Sequence, residues 1–161
     1  MQAELHEGLL FAAALEREDV RDVLISHAHH TLNTLPQGAK VGTSSLRRTQ
    51  VLKHKRKDLH FEPIRGNLET RLRKVEEGKF DATVLALAGL KRLGVDPIPG
   101  SILDLDEMLP APAQGIIAIQ CRESDIDTQL LLSKINHTPT MHAATTERAI
   151  LRALDGSCKI P

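Results

Sequence analysis

Val41-Gly42-Thr43-Ser44-Ser45-Leu46-Arg47-Arg48 carries an apolar strand into the start of a helix, with hydroxyls and two guanidinium groups at the junction. Such a junction suits an anion. A helix N-terminus offers unpaired N–H groups and positive dipole character, Ser and Thr add short donors, and Arg adds a planar fork that matches carboxylate or phosphate. Reading outward, residues 40–43 form a strand and 44–55 a helix, 59–64 a second strand, and 67–77 a second helix capped by Asn67 and stopped by Gly78. Residues 80–87, rich in Ala, Val and Leu, read as a strand buried on both faces, and 88–93 as a short helix closed by Gly94. This βαβαβα alternation predicts an α/β fold, a doubly wound parallel sheet with right-handed crossovers. Ligands of such sheets bind beyond the carboxyl ends of the strands. Arg47, Arg48, Arg65, Arg71 and Arg92 all fall there or close by, and one pocket is expected to collect them.

On the N-terminal side, residues 9–15 and 22–25 read as strands flanking a charged turn at 16–19. Beyond the helical units, Pro97, Pro99, Pro110 and Pro112 punctuate the chain, and residues 109–115 read as an extended hinge between domains. Residues 115–121 then form a strand, 126–135 an apolar-periodic helix capped by Asp125, and Thr138-Pro139 the N-cap and N1 of a last helix reaching Leu154. Gly156-Ser157-Cys158 follows it.

The composition narrows the chemistry. Among 161 residues, 41% are hydrophobic, enough for a buried core, so disorder is excluded. Lys+Arg and Asp+Glu are both 21, so any preference for polyanions must come from local placement. Trp and Tyr are absent, which removes the stacking platforms of most single-strand nucleic-acid binders. No apolar run reaches the roughly 18 residues of a membrane span. Two cysteines and no signal pattern at the start fit a reducing cytoplasm.

Taken singly, Arg71 or Arg92 reads as a surface residue, and it is the clustering that points to a site. The basic run Lys53-His54-Lys55-Arg56-Lys57 reads as a solvated face or as a partner for the helix C-terminus. His27, His29 and His30 lack a second group at zinc spacing, so no metal site is expected. Cys121 reads as a small buried hydrophobe and Cys158 as an accessible thiol, with Lys159 its local thiolate stabiliser.

Together, residues 41–48, Arg65-Gly66-Asn67 with Thr70-Arg71-Leu72, residues 86–93, and Glu147-Arg148 through Gly156-Ser157-Cys158-Lys159-Ile160-Pro161 resemble the porphobilinogen deaminase (hydroxymethylbilane synthase) family. The order and spacing match over essentially the whole chain. The resemblance implies a fold similar to type II periplasmic binding proteins and a transferase of haem and tetrapyrrole synthesis. Four porphobilinogens would be joined head to tail, with loss of ammonia, on a dipyrromethane cofactor held by a thioether to Cys158. Each pyrrole carries an acetate and a propionate, which gives the arginines their anion. The family's cofactor- and substrate-contacting positions fall on Thr43, Ser45, Arg47, Arg48, Arg65, Arg71 and Arg92, with Gln114 in the hinge.

The resemblance also implies that the family's catalytic Asp, preceded by Lys, would lie upstream of Met1, so no catalytic residue is expected here. The expected organisation is a partial domain 1 at 1–20, a whole Arg-rich cofactor-binding domain 2 at 21–109, a hinge and return to domain 1 at 110–136, and the start of a truncated C-terminal domain at 137–161. The expectation is thus a fragment, inactive alone, of a cytoplasmic enzyme that is monomeric at full length. Its partners would be porphobilinogen and oligopyrrole intermediates, with no nucleic acid or membrane. The competing reading is a non-enzymatic anion- or solute-binding or effector domain of the same fold, which gives Cys158 no task.

Overall fold

The computed structural model of the chain describes residues 5–28 and 30–154. Its helices start where a short side chain takes an unpaired backbone N–H. Ser45 caps α1 (Leu46–Lys55) by accepting from Arg48 N, and Asn67 caps α2 (Leu68–Glu76) by accepting from Thr70 N. The six-residue α3 (Leu87–Arg92) follows its strand directly and has no side-chain cap. Asp125 caps α4 (Ile126–Ser133) through Thr128 N. The last helix, α5 (Thr138–Ala153), has His137 at its N-cap, one residue before the expected Thr138, with Pro139 in its first turn.

The strands are β1 (Leu9–Ala14), β2 (Asp22–Ser26), β3 (Lys40–Gly42), β4 (His60–Glu62), β5 (Ala82–Ala86), β6 (Ser101–Ile102) and β7 (Ala118–Arg122). They belong to two units, residues 19–110 and residues 5–18 with 111–154. The first unit is a five-stranded sheet in the order β4-β3-β5-β2-β6. Strand β3 runs parallel to β4 and β5, as the helical crossovers require. Strand β2 runs antiparallel to β5 and β6, so the sheet is mixed rather than all parallel. No helical crossover precedes β2, and nothing constrains it to the common direction.

Alternation along the strands fills both faces of this sheet. Leu24, Val41, Ala82 and Val84 point to one side with Leu52 of α1, Leu103 and Met108. Val23, Ile25 and Leu85 point to the other, against Leu87 and Leu90 of α3 and Leu68 and Leu72 of α2. Leu52 is fully buried, and its truncation to alanine is worth about 2–5 kcal/mol.

In the second unit β1 pairs antiparallel with β7, with a register shift between Phe11 and Ala13. The two N-terminal strands therefore do not form a hairpin with each other. The segment after β1 stays extended, Leu15 N donating to Ile117 O at 3.0 Å and Glu18 N to Gly115 O at 3.1 Å. Cys121, in β7, is half-buried rather than enclosed, and none of the α4 side chains is fully buried.

Candidate functional site

The junction after β3 is built on close packing. A Cβ on Gly42 would lie 3.0 Å from both Ile64 and Phe80, so any larger residue there would push these side chains away from β3. Thr83 Oγ1 donates to Gly42 O at 2.8 Å and Thr43 N donates to Glu62 O at 2.9 Å, tying the carboxyl ends of β3 and β4 together and to the start of β5. The next three residues are tied locally. Ser45 N donates to Thr43 Oγ1 at 3.2 Å, Arg48 N to Ser45 Oγ at 3.4 Å, and Ser44 Oγ to Ile64 O at 2.9 Å.

An open pocket of about 390 Å³ lies against this junction, lined by Thr43, Ser44, Ser45, Thr49, Glu62 and Arg65 among others. The first turn of α1 carries no acidic residue, so its positive end faces the hydroxyls without opposition. Glu62 is the one carboxylate in the lining, and Lys40 Nζ stands 3.8 Å from it. The hydroxyls, the helix start and the guanidinium are all groups able to donate to an anion.

Arg47 and Arg48 turn inward. Arg47 Nη2 donates to Asp22 Oδ2 at 2.7 Å and Arg48 Nη2 to Asp22 Oδ1 at 2.8 Å, and the Asp22 side chain is 0% exposed. Arg48 Nη1 also donates to Val84 O at 3.1 Å, and Arg47 Nη1 to Leu109 O. Because β2 is antiparallel, its first residue lies opposite Ala86 at the carboxyl end of β5, which brings Asp22 to the ligand edge of the sheet. Reading along the chain misses Asp22. The available signal is an acid heading the buried run Val23-Leu24-Ile25, which must find opposite charge to be buried.

The remaining arginines are distributed. Arg65 is exposed at the pocket. It precedes Gly66, whose φ of +118° and whose hypothetical Cβ, 2.6 Å from Thr70 Cγ2, both demand glycine. Arg71 is half-buried and Nε donates to Gly66 O at 2.9 Å, while Lys74 Nζ donates to Arg65 O at 3.0 Å, so α2 holds the loop that presents Arg65. Arg92 is exposed at the far end of α3 and does not line the pocket. The five arginines thus divide into an inward pair, a pocket residue, a loop support and a surface residue. In the basic run, Arg56 has a structural task, donating to Leu32 O at 2.7 Å, Leu35 O at 3.0 Å and the Asp58 carboxylate at 2.7 Å. The Arg56 hydrogen bond holds the Asp58 carboxyl well below the usual carboxylate range.

In the other unit, Gln114 O accepts from Arg17 Nε at 3.0 Å. Arg17 also grips Glu147 of α5 with both terminal nitrogens, at 2.5 and 3.1 Å, and Ala113 N donates to Glu147 Oε2 at 2.6 Å. Burial pushes Glu147 upward, but the Arg17 hydrogen bond, the Ala113 N–H and the Arg17 charge outweigh it and hold this carboxyl below its ordinary value. Cys158 lies outside the described residues, as does His29. Among the described residues no group of three or more His, Cys, Asp or Glu is arranged to hold a metal ion, and no helix is long and apolar enough to cross a membrane.

The family model described as "Porphobilinogen deaminase, dipyromethane cofactor binding domain" matches residues 1–130. A porphobilinogen deaminase of Shouchella clausii is 50% identical over 160 residues, which are 99% of this chain and 51% of that protein. One from Syntrophomonas wolfei is 47% identical over 161 residues, 100% of this chain and 53% of its own length. The chain therefore spans about half the length of the curated relatives it matches. Among solved structures, a TRAP periplasmic solute binding protein from Rhodoferax ferrireducens with bound malonate is similar, with a TM-score of 0.48 and 9% identity over 93% of this chain and 49% of that one.

Proposed function

The chain belongs to the porphobilinogen deaminase family, and from that premise we propose that its sheet unit grips a dipyrromethane-primed pyrrole chain by the carboxylates. The reaction served is the head-to-tail condensation of four porphobilinogens to hydroxymethylbilane with release of ammonia. The observation that carries the reading is the pocket of hydroxyls and Arg65 at the start of α1, inside the segment matched by the cofactor-binding model.

The residues present fit the group. Thr43, Ser45 and Arg65 supply donors of the kind a carboxylate needs, and Glu62, the opposing charge, has Lys40 beside it. Arg47 and Arg48, oriented by Asp22, add positive potential behind the hydroxyls, and Arg71 supports the Arg65 loop. Arg92 and Gln114 are further contacts in this proposal, and Cys158 is the point of thioether attachment. When bound, the dipyrromethane supplies the terminal pyrrole carbon to which new units are joined. The chain's own part is to hold successive carboxylates, each charge-assisted hydrogen bond contributing on the order of 1.5–3 kcal/mol. In this reading residues 21–109 are the cofactor-binding domain, 1–20 and 110–136 parts of domain 1, and 137–161 the start of the C-terminal domain of a cytoplasmic, monomeric enzyme.

Calorimetric titration of the 161-residue chain with porphobilinogen, phosphate and sulfate tests the proposal. Saturable binding of porphobilinogen that equal sulfate does not displace, and that Arg65→Ala abolishes, is expected. Equal affinity for the small inorganic anions overturns it in favour of a solute receptor.

A further inference from the structure

The pocket beside the start of α1 has two features that binding of a carboxylate leaves unused. Of the described residues that line it, only Arg65 and Glu62 are charged, so its walls carry one guanidinium and one carboxylate. Glu62 closes the edge strand β4, and Thr43 N donates to its carbonyl oxygen at 2.9 Å, which fixes its backbone beside the hydroxyls of the junction. Its side chain is 56% exposed. The ion pair with Lys40, at 3.8 Å and with Lys40 itself 42% exposed, is of the solvated kind that contributes little to stability, so the carboxylate can engage a ligand at small cost. The second feature is an apolar wall. Leu46, 49% exposed although it is a leucine, lines the pocket with Phe61 and Pro63. A purely anionic ligand is drawn by Arg65, repelled by Glu62 and indifferent to that wall. A flat apolar ring bearing charges of both signs uses all three.

We infer that Glu62 is a specificity-determining residue that takes the aminomethyl ammonium of free porphobilinogen, with Arg65 on a carboxylate and Leu46, Phe61 and Pro63 against the pyrrole ring. The inference rests on the porphobilinogen reading given above. The ammonia released in the condensation comes from that aminomethyl group, a primary amine that is cationic at neutral pH. Pyrroles already joined have lost it. They keep the Arg65 contact but offer nothing to Glu62, and the repulsion between Glu62 and their carboxylates remains. The pocket therefore favours the incoming monomer over units already in the chain, and its hold weakens once the amine has left. Lys40 competes with the ammonium for Glu62, but its exposure leaves that attraction screened by water.

The test titrates the 161-residue chain with porphobilinogen and with the same acetate- and propionate-bearing pyrrole in which methyl replaces aminomethyl. The wild-type chain is expected to bind porphobilinogen at least ~5-fold more tightly than the methyl analogue. Glu62→Gln should remove that preference, weakening porphobilinogen ~5-fold while the analogue binds at least as tightly as before, which also shows that the pocket is folded. Arg65→Ala should weaken both. The wild-type comparison needs no variant, and it decides the matter even if Glu62→Gln does not fold. Equal wild-type affinity for the two pyrroles, or a Glu62→Gln chain that weakens both alike or tightens porphobilinogen, overturns the inference. If sulfate does not displace the pyrroles in those cases, the functional reading stands without it. A wild-type chain that binds neither pyrrole overturns both.

Discussion

Asp22 Oδ1 and Oδ2 each accept one guanidinium, Arg48 at 2.8 Å and Arg47 at 2.7 Å, so a single buried carboxylate orients both arginines of the helix start. Both Arg side chains are themselves largely buried, at 16% and 13% exposure, and removing the shared partner leaves two positive charges with little solvent. Asp22→Asn is therefore expected to destabilise the protein by about 3 kcal/mol, read as a fall in urea midpoint. An unchanged midpoint would show that Asp22 does not anchor the pair.

Ala113 holds a φ of 60°, the left-handed region that costs an L residue with a Cβ about 1 kcal/mol. Its N–H is committed to Glu147, which keeps the backbone in place. Ala113→Gly should raise stability by no more than about 0.5 kcal/mol, because unfolded-state entropy of about 0.4–1 kcal/mol offsets most of the strain relieved. Differential scanning calorimetry of the two proteins checks the sign.

The hydrogen bond from Arg21 lowers the Asp19 carboxyl from its ordinary 3.8 to about 2. A depressed carboxylate contributes stability that is complete above the unfolded value and is lost as pH falls through the folded one. The wild-type urea midpoint should fall between pH 3.8 and about 2, and Asp19→Asn should flatten part of that fall. Glu147, also held low, adds loss on the same acid side. Arg21 is 38% exposed, so added salt should shrink the Asp19 contribution.

Ser45 has two tasks, capping α1 and facing the pocket. Ser45→Ala should cost about 1 kcal/mol of stability through the lost cap. Ser45→Asp keeps a cap but places an anion in the pocket, so porphobilinogen affinity should fall while the midpoint stays near wild type. Paired calorimetric titration and denaturation separate the two effects.

What could be read from the chain was local. Ser45, Asn67 and Asp125 cap helices three residues ahead of their partners, and such contacts depend on spacing alone. The apolar runs of β2 and β5 announced strands, but not that β2 would run against β5, since pairing direction is set by distant segments. Strand β6, two residues long, has no periodicity to detect. The same limit hid Asp22, which meets its arginines 25 and 26 positions away, and it made five arginines look like one cluster when helix geometry sends Arg92 to the far end of α3. The pocket residues Thr43, Ser45 and Arg65 were legible because each lies just past a strand end.

The hydroxyls of Thr43-Ser44-Ser45 differ in what they have left to offer. Thr43 and Ser45 each accept from a backbone N–H, which leaves the hydroxyl proton available to donate, whereas Ser44 gives its proton to Ile64 O and has only lone pairs left to offer. Three chemically alike side chains thereby spell donor, acceptor, donor. A ligand with only acceptors, such as sulfate, matches two of the three positions; one that carries carboxylates beside a ring N–H can match them all.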